Sequence, residues 1–308
     1  MKNVTAILDA CSSFIRGELH IDADYAKPLA DVFWPLAQRL AERRAQSPAP
    51  LTAGIGGAQG SGKTTAARIL RFLLAERGLR VATFSLDDLY LPLAERRRVR
   101  AAHPDDPYFR WRGNPGSHDP ALGVRTIERL LAADETSVTP LPAFDKSAHD
   151  GQGDRLPEPA WPEFRGRPDI VILEGWMVGF ARLPDADLAA HVAATPAVSA
   201  FVAARDPTGR FTRAVNRGLD EYRELFARLD PLIFFKIASL GKIVEWRRLQ
   251  EAKLREQTGR GMTDAEVADF CEPYLTLTAI HGLRVLGRPA AGRIVIDIGD
   301  DHLLKGAF

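Results

Sequence analysis

Eight consecutive residues, Gly57-Ala58-Gln59-Gly60-Ser61-Gly62-Lys63-Thr64, match the pattern GxxxxGK[ST] without a departure. Each residue type has a physical job. Glycines at 57, 60 and 62 let the backbone turn tightly and aim its N–H groups at an anion. A helix starting at Lys63 points its positive end at the same place. Lys63 adds a charge between the β- and γ-phosphates of ATP, and the Thr64 hydroxyl suits Mg2+. Gly57 through Thr65 are therefore the candidate ATP-binding residues. The rival reading is a glycine-rich strand-to-helix turn with no ligand, which leaves the complete match unexplained.

Ile170-Val171-Ile172-Leu173-Glu174-Gly175 is an apolar run ending in a carboxylate. On a strand beside the phosphate loop, Glu174 would face the Mg2+ shell; otherwise it simply ends a strand. Leu86-Asp87-Asp88-Leu89-Tyr90 follows another apolar run. Ligands of open parallel sheets collect at the carboxyl ends of strands, so these acids should face the cradle. Transfer of a phosphoryl group to an alcohol is helped by a carboxylate that accepts the hydroxyl proton. Asp87 is the candidate base and, with Thr64 and Glu174, a candidate metal ligand. Asp88 would orient metal or substrate. A solvated acidic turn would explain the same pair.

Two polar segments could hold an acceptor. Arg112-Gly113-Asn114-Pro115-Gly116-Ser117-His118-Asp119 sets a cation, an amide, an imidazole and a carboxylate in one constrained turn. Phe144-Asp145-Lys146-Ser147 with Gly151-Gln152-Gly153-Asp154-Arg155 is the second. The candidate ligands are Arg112, Asn114, His118, Asp119, Asp145, Lys146 and Arg155. Arg112, Lys146 and Arg155 suit a substrate carboxylate, although surface ion pairs are the ordinary fate of such residues. His103, His118 and His149 lack zinc spacing. Farther on, Arg248 and Arg255 share a helical face, and Arg247 can pair with Glu251 at i,i+4. Arg247, Arg248 and Arg255 are candidate lid residues that close over the nucleotide; a solvated helix face is the alternative.

The elements that must position these residues follow from periodicity. Apolar residues from Tyr25 to Arg44 recur at helical spacing, with Pro35 expected to kink or split the helix. Residues 51–56, 80–86, 169–173, 232–237 and 293–298 read as strands, and 63–76, 119–131, 244–256 and 263–275 as helices. Asp119 is a candidate N-cap, and Thr263-Asp264-Ala265-Glu266 a capping box. Strand, helix, strand across the phosphate loop is a βαβ unit, which predicts a parallel sheet. The stretches 87–119 and 140–168 read as long functional loops. Residues 183–205 fit no single pattern.

The bulk numbers narrow the class. The chain has 308 residues, 45% hydrophobic and 26% charged, with a formal net charge of +1. That balance gives no basic field for nucleic acid. No apolar run approaches the ~20 residues that span a bilayer, and the N-terminus is too weakly apolar for a signal peptide. Cys11 and Cys271 stand apart, without metal spacing. A cytoplasmic protein with no nucleic-acid or membrane partner is expected.

The segments SLDDLYL, RGNPGSHD, FDKSAHDGQGDR, ILEGWMVGF, WRRLQE and GRGMTDAEVADF follow the phosphate loop in this order. Together they resemble the D-glycerate 3-kinase family, within the wider group of pantothenate, uridine and phosphoribulo-kinases. The resemblance spans residues 50 to 280 or so. It implies ATP, Mg2+ and transfer to a hydroxyl of a small hydroxy acid, most simply D-glycerate. It also implies that Asp87 and Tyr90, in a DxxY-like turn, are base and substrate ligand, and that RGNPGSHD and DKS line the acceptor pocket. Phe144 stands where relatives often carry Tyr, and residues 183–205 and 271–274 depart from the family pattern. A pantothenate, nucleoside or sugar-phosphate acceptor therefore stays open, as does a nucleotide-gated binding protein. The fold expected is α/β, a three-layer α/β/α P-loop NTPase with a central parallel sheet. Residues 1–48 would form an N-terminal helical extension and 49–308 the kinase domain. Acceptor-binding insertions are expected near 87–119 and 140–168, a helical lid near 240–280, and adenine contacts near Gly299 to His302.

Overall fold

The computed structural model describes residues 3–258, 261–300 and 303–305. Helices α1 (Val4–Leu19) and α2 (Ala23–Ala45) precede β1 (Leu51–Gly57) and α3 (Lys63–Ala75). Strand β2 (Val81–Ser85) runs into a 3-10 turn, Leu86–Leu89, then α4 (Leu93–Ala102) and α5 (Pro120–Ala132). Two small antiparallel pairs come next: β3 (Val138–Pro140) with β6 (Glu163–Arg165), and β4 (Phe144–Asp145) with β5 (Asp154–Arg155). After β7 (Ile170–Gly175) come α6 (Asp185–Ala193), α7 (Pro196–Arg205), α8 (Arg210–Gly218) and the short α9 (Arg223–Phe226). The chain closes with β8 (Leu232–Ile237), α10 (Leu240–Thr258), α11 (Asp264–Leu277) with a wide π-helical continuation, Thr278–Leu286, then β9 (Arg293–Ile298) and β10 (Leu304–Lys305).

The central sheet has the order β10-β9-β8-β1-β7-β2. The five expected strands are parallel, and β10 adds an antiparallel edge beside β9. Strand β7 is buried on both faces, as its unbroken apolar run requires. Its alternation feeds two cores. Ile170 and Ile172 pack with α1, α2 and α3 residues such as Ile15, Phe33 and Leu70. Val171 and Leu173 pack with Phe84, Tyr108, Trp176 and Tyr222 on the other face. On β1, Ala53 and Ile55 face the first core, while Gly54 and Gly56 leave the second face bare. That bareness is needed: a Cβ at Gly56 would stand 2.4 Å from the Val178 carbonyl oxygen. The turn after β7 therefore lies directly on β1.

Several elements differ from the sequence reading. Within the helical extension expected over residues 1–48, periodicity delineates only the Tyr25–Arg44 helix, and α1 is a second helix there. Its buried positions, Ile7, Cys11 and Ile15, are spaced by four, and Asn3 caps it by accepting from Thr5 N–H. Helix α2 runs on through Pro28 and Pro35 and is not split. Within the stretch read as irregular, Leu93–Ala102 is a helix, consistent with its Ala- and Arg-rich composition. Residues 183–205 resolve into α6 and α7. Thr263 and Glu266 do form the capping box: each side chain accepts from the other's backbone N–H. Cys11 and Cys271 are buried and unpaired. Among the described residues no single helix is long and apolar enough to cross a membrane.

Because α1 shares a core with the phosphate-loop helix, truncating it should weaken the whole fold. Ile15 is fully buried, so Ile15→Ala is expected to cost about 2–5 kcal/mol in one cooperative urea transition. An unchanged midpoint, or a separate early transition confined to α1 and α2, would count against a common core.

Candidate active site

Strand β1 ends in the loop that leads into α3. Gly60 and Gly62 take left-handed φ values of +77° and +82°. At Gly62 a Cβ would meet nothing within 4 Å, so backbone conformation alone calls for glycine there. At Gly57 a Cβ would lie 2.8 Å from the Phe235 Cβ. The Lys63 ammonium donates to the Ala58 carbonyl at 2.8 Å, closing the loop. Burial lowers the Lys63 pKa, and the fields of Glu174 and Asp87 oppose that shift. The Thr64 hydroxyl donates to Glu174 at 2.8 Å, tying the first turn of α3 to the end of β7. Gln59 Oε1 and Ser61 Oγ are buried in the loop without a protein partner.

The two aspartates after β2 have different surroundings. Ser85 and Asp88 form a capping box around the 3-10 turn, with Asp88 Oδ2 accepting from Ser85 N–H at 2.8 Å. One oxygen of Asp88 thus has a structural role that the sequence reading did not assign. Burial pushes its carboxyl up to about 6; the Ser85 bond opposes this and the Asp87 charge adds to it. Asp87 instead accepts from Lys146 Nζ at 2.7 Å and from the Tyr90 hydroxyl. Burial alone would raise its pKa, but the Lys146 charge and hydrogen bond outweigh it and hold the carboxyl below its ordinary value. Asp87 is therefore ionised at neutral pH.

Tyr90 is buried between the His118 ring, stacked at 4.4 Å, and the Phe144 edge at 5.0 Å. Arg155 donates to the Tyr90 and Leu89 carbonyls at 2.9 and 3.1 Å and reaches Asp119 at 3.4 Å. Asp119 also caps α5 by accepting from Leu122 N–H. Both residues, read from sequence as acceptor ligands, are instead committed to holding the turn. Asp145 accepts from the Ser147 N–H and hydroxyl, an Asx turn that presents Lys146. Arg112 donates to the Gly151 and Gln152 carbonyls and lies over the Tyr90 and Phe144 rings. The Asn114 amide donates to the Tyr108 carbonyl, and its Oδ1 is buried without a partner.

His118 repays a count of hydrogens. Its Nδ1 lies 2.8 Å from the Tyr222 hydroxyl. The Tyr222 oxygen already accepts from the backbone at Gly116 and His118. Its own hydrogen must therefore go to Nδ1, since the neighbouring Ser117 hydroxyl donates to the Asn114 carbonyl. That leaves the ring hydrogen on Nε2, which is buried and has no protein partner. Burial pulls the imidazole down to about 3, against the Asp87 charge, so the ring is neutral. Sequence reasoning named His118 but missed Tyr222. It also missed Trp176 and Tyr274, which hold the same turn by donating to the Gly113 and Arg112 carbonyls at 2.9 and 2.5 Å. Trp176 lies within the ILEGWMVGF segment, and only its indole N–H could have signalled this.

On the lid side, Trp246 of α10 sits against the phosphate loop, 3.3 Å from where a Gly60 Cβ would be. Arg247 pairs with the buried Glu251, as the i,i+4 spacing predicts, and stacks over Phe270. Arg255 bonds the Met262 carbonyl and pairs with Asp264 at 3.8 Å. Arg247 thus ties α10 to α11 itself, and Arg255 ties it to the segment leading into α11. Arg248 and Arg255 line one cavity, and Arg248 meets no carboxylate among the described residues. Of the expected adenine contacts, Asp301 and His302 lie outside the described residues.

The donors fit a small hard cation. Among the described residues no group of three or more His, Cys, Asp or Glu converges. A metal would draw on one or two carboxylates, the Thr64 hydroxyl and phosphate oxygens, which is how Mg2+ is usually held.

No family model matches the chain. Known proteins do. The chloroplastic D-glycerate 3-kinase of Arabidopsis thaliana is 34% identical over 228 residues, covering 73% of this chain and 46% of that protein. The chain thus spans about half the length of the plant relative. The uncharacterized kinase mug58 of Schizosaccharomyces pombe is 33% identical over 233 residues, covering 73% of this chain and 79% of its own. Among solved structures, a D-glycerate 3-kinase from Cryptococcus neoformans superposes with a TM-score of 0.78 at 26% identity, over 90% of this chain and 97% of that one. The fold is accordingly the three-layer P-loop architecture. With one third of the aligned residues identical across most of a fungal kinase, the chain belongs to the D-glycerate 3-kinase-like family of P-loop kinases.

Proposed function

We propose that the chain is a kinase that transfers the γ-phosphoryl group of ATP to a hydroxyl of a small hydroxy acid, with D-glycerate the first candidate. The observation that carries this reading is the ionised Asp87, bonded to the solvent-exposed Lys146 and within the electrostatic reach of Lys63. The names of the plant and Cryptococcus relatives supply the acceptor class.

In this reading residues 57–65 cradle the phosphates. Thr64, Glu174 and Asp87 would hold Mg2+, which when bound offsets charge on the β- and γ-oxygens. Asp87 accepts the acceptor's hydroxyl proton as that oxygen bonds the γ-phosphorus and ADP departs. The Lys146 side chain is 63% exposed and can swing its ammonium from Asp87 to the acceptor carboxylate. Losing that partner raises the Asp87 pKa and makes it a better base at the moment of transfer. The His118 Nε2–H donates to an acceptor oxygen. Arg112 and Asn114 shape the pocket wall, and Lys63 with Arg248 of a closing α10 offsets charge on the moving phosphoryl group.

Measuring ADP release against D- and L-glycerate, pantothenate, uridine and a sugar phosphate should show D-glycerate with the highest kcat/KM. Turnover stimulated by none of the hydroxy acids, with a tight protein partner instead, would favour a nucleotide-gated binding protein. Asp87→Asn should lower kcat ~10²-fold or more, the size of a lost general base, with ATP affinity little changed. Near-normal turnover would remove the base assignment. Tyr222→Phe frees the His118 ring to change tautomer and should raise the acceptor KM about tenfold, the worth of one well-placed hydrogen bond, leaving the ATP KM unchanged. The wild-type tautomer can be read directly from imidazole 15N shifts, and a hydrogen found on Nδ1 would contradict the donor role.

A further inference from the structure

A cavity of about 250 Å³ opens between α4, the turn at 109–117 and the turn at 150–152. Its wall carries Arg96, Arg97, Arg100, Arg110 and Arg112 against a single acid, Asp150. Asp87, Lys63 and Lys146 are not part of that wall.

What matters is how these guanidinium groups are satisfied. Arg96 donates to the Leu91 and Gly153 carbonyls, Arg97 to the Gln152 side-chain oxygen, and Arg112 to the Gly151 and Gln152 carbonyls. Neutral oxygens fix the arginines in place but leave their charge unanswered. Arg100 has no hydrogen-bond or ion-pair partner among the described residues. Only Arg110 reaches a carboxylate, Asp269, at 2.7 Å. Arg96 feels the crowding: burial and then the Arg112 charge lower its pKa. The adjoining cavity makes the contrast. It shares Arg100 and Arg110 but adds Asp105, Asp106, Asp269 and Glu272 to its wall, and there Arg205 meets Glu272 at 3.3 Å.

Like charges held together by neutral oxygens form a preorganised anion site. The volume is small for a nucleotide. An acceptor with one carboxylate would answer only one of these cations. With nucleotides set aside on size, the small molecule of the proposed reaction with several negative charges is its product, which carries a phosphate ester and a carboxylate. We propose that this arginine-lined cavity, outside the phosphoryl-transfer centre, binds a phosphorylated carboxylic acid of the product class. The assignment of that class rests on the function proposed above. Occupancy would be felt at the acceptor, because Arg112 belongs to the same turn as His118 and lies over Tyr90. The site is thus placed to restrain turnover as product accumulates.

The test is calorimetric and uses the full chain with Mg2+, a non-hydrolysable ATP analogue and D-glycerate at saturation, so that the cradle and the acceptor pocket are occupied. The titrants are 3-phosphoglycerate and, separately, inorganic phosphate. Arg97 and Arg100 are exposed on α4, so Arg97→Gln with Arg100→Gln should fold and keep its basal turnover. The wild type is expected to bind 3-phosphoglycerate more tightly than phosphate, and the double variant to bind it about tenfold or more weakly, as for lost charge-assisted hydrogen bonds. Product inhibition should weaken in parallel. No binding to the wild type, or equal binding to the variant, overturns the proposal. A chain that binds the probe yet never phosphorylates glycerate keeps this site and loses the acceptor assignment instead.

Discussion

Parallel register across β1, β7 and β2 is the constraint from which the site follows. Gly56 pairs with Gly175, and Ser85 with Glu174. The phosphate loop, Glu174 and Asp87 therefore leave the sheet at nearly the same level, on adjacent strands. A slip of one residue in β7 would turn Glu174 to the opposite face and break its bond to Thr64. The bare face of β1 belongs to the same constraint, since it admits the turn after β7 that carries Trp176 toward the acceptor wall.

The acceptor wall is held mainly through its backbone. Arg155, Arg112, Trp176 and Tyr274 all donate to carbonyls of the loops, and Tyr222 accepts from their N–H groups. These bonds give irregular segments the rigidity that a strand or helix gets from its own ladder. They also sort the polar residues. Arg155 and Asp119 are occupied with structure, as is one oxygen of Asp88. Lys146, the Nε2 of His118 and the Oδ1 of Asn114 retain capacity for something else. A loop rich in charge is therefore not a roll of ligands, and the distinction lies in which atoms are already bonded.

Much of the fold was legible in the sequence because local signals agreed. The phosphate loop needs glycines at fixed spacing, the five parallel strands are continuous apolar runs, and the Thr263 cap has its own short pattern. Residues 1–48 read as helical, but the bounds of α1 were hidden because its buried stripe is only Ile7, Cys11 and Ile15, diluted by serines. Helix α4 was hidden by its charge, since four arginines in ten residues read as loop. Residues 183–205 form two short helices whose apolar positions do not share one phase. At the site, the motifs pointed to Asp87, Lys146 and His118, but not to Tyr222, which lies 104 positions from His118 and carries no motif of its own. Long-range hydrogen bonds of that kind leave no trace in spacing.

The two cores lie on opposite faces of the sheet, and β2, β7 and β8 each send residues into both. The layer with α1, α2 and α3 backs the phosphate loop, and the layer with Tyr108, Trp176 and Tyr222 backs the acceptor wall. Under the kinase reading proposed above, substitutions in the second layer would act on the acceptor side first and leave the packing behind the phosphate loop in place. The architecture is modular in cross-section, across the thickness of the sheet and not along the chain, so a change of acceptor could be explored one layer at a time.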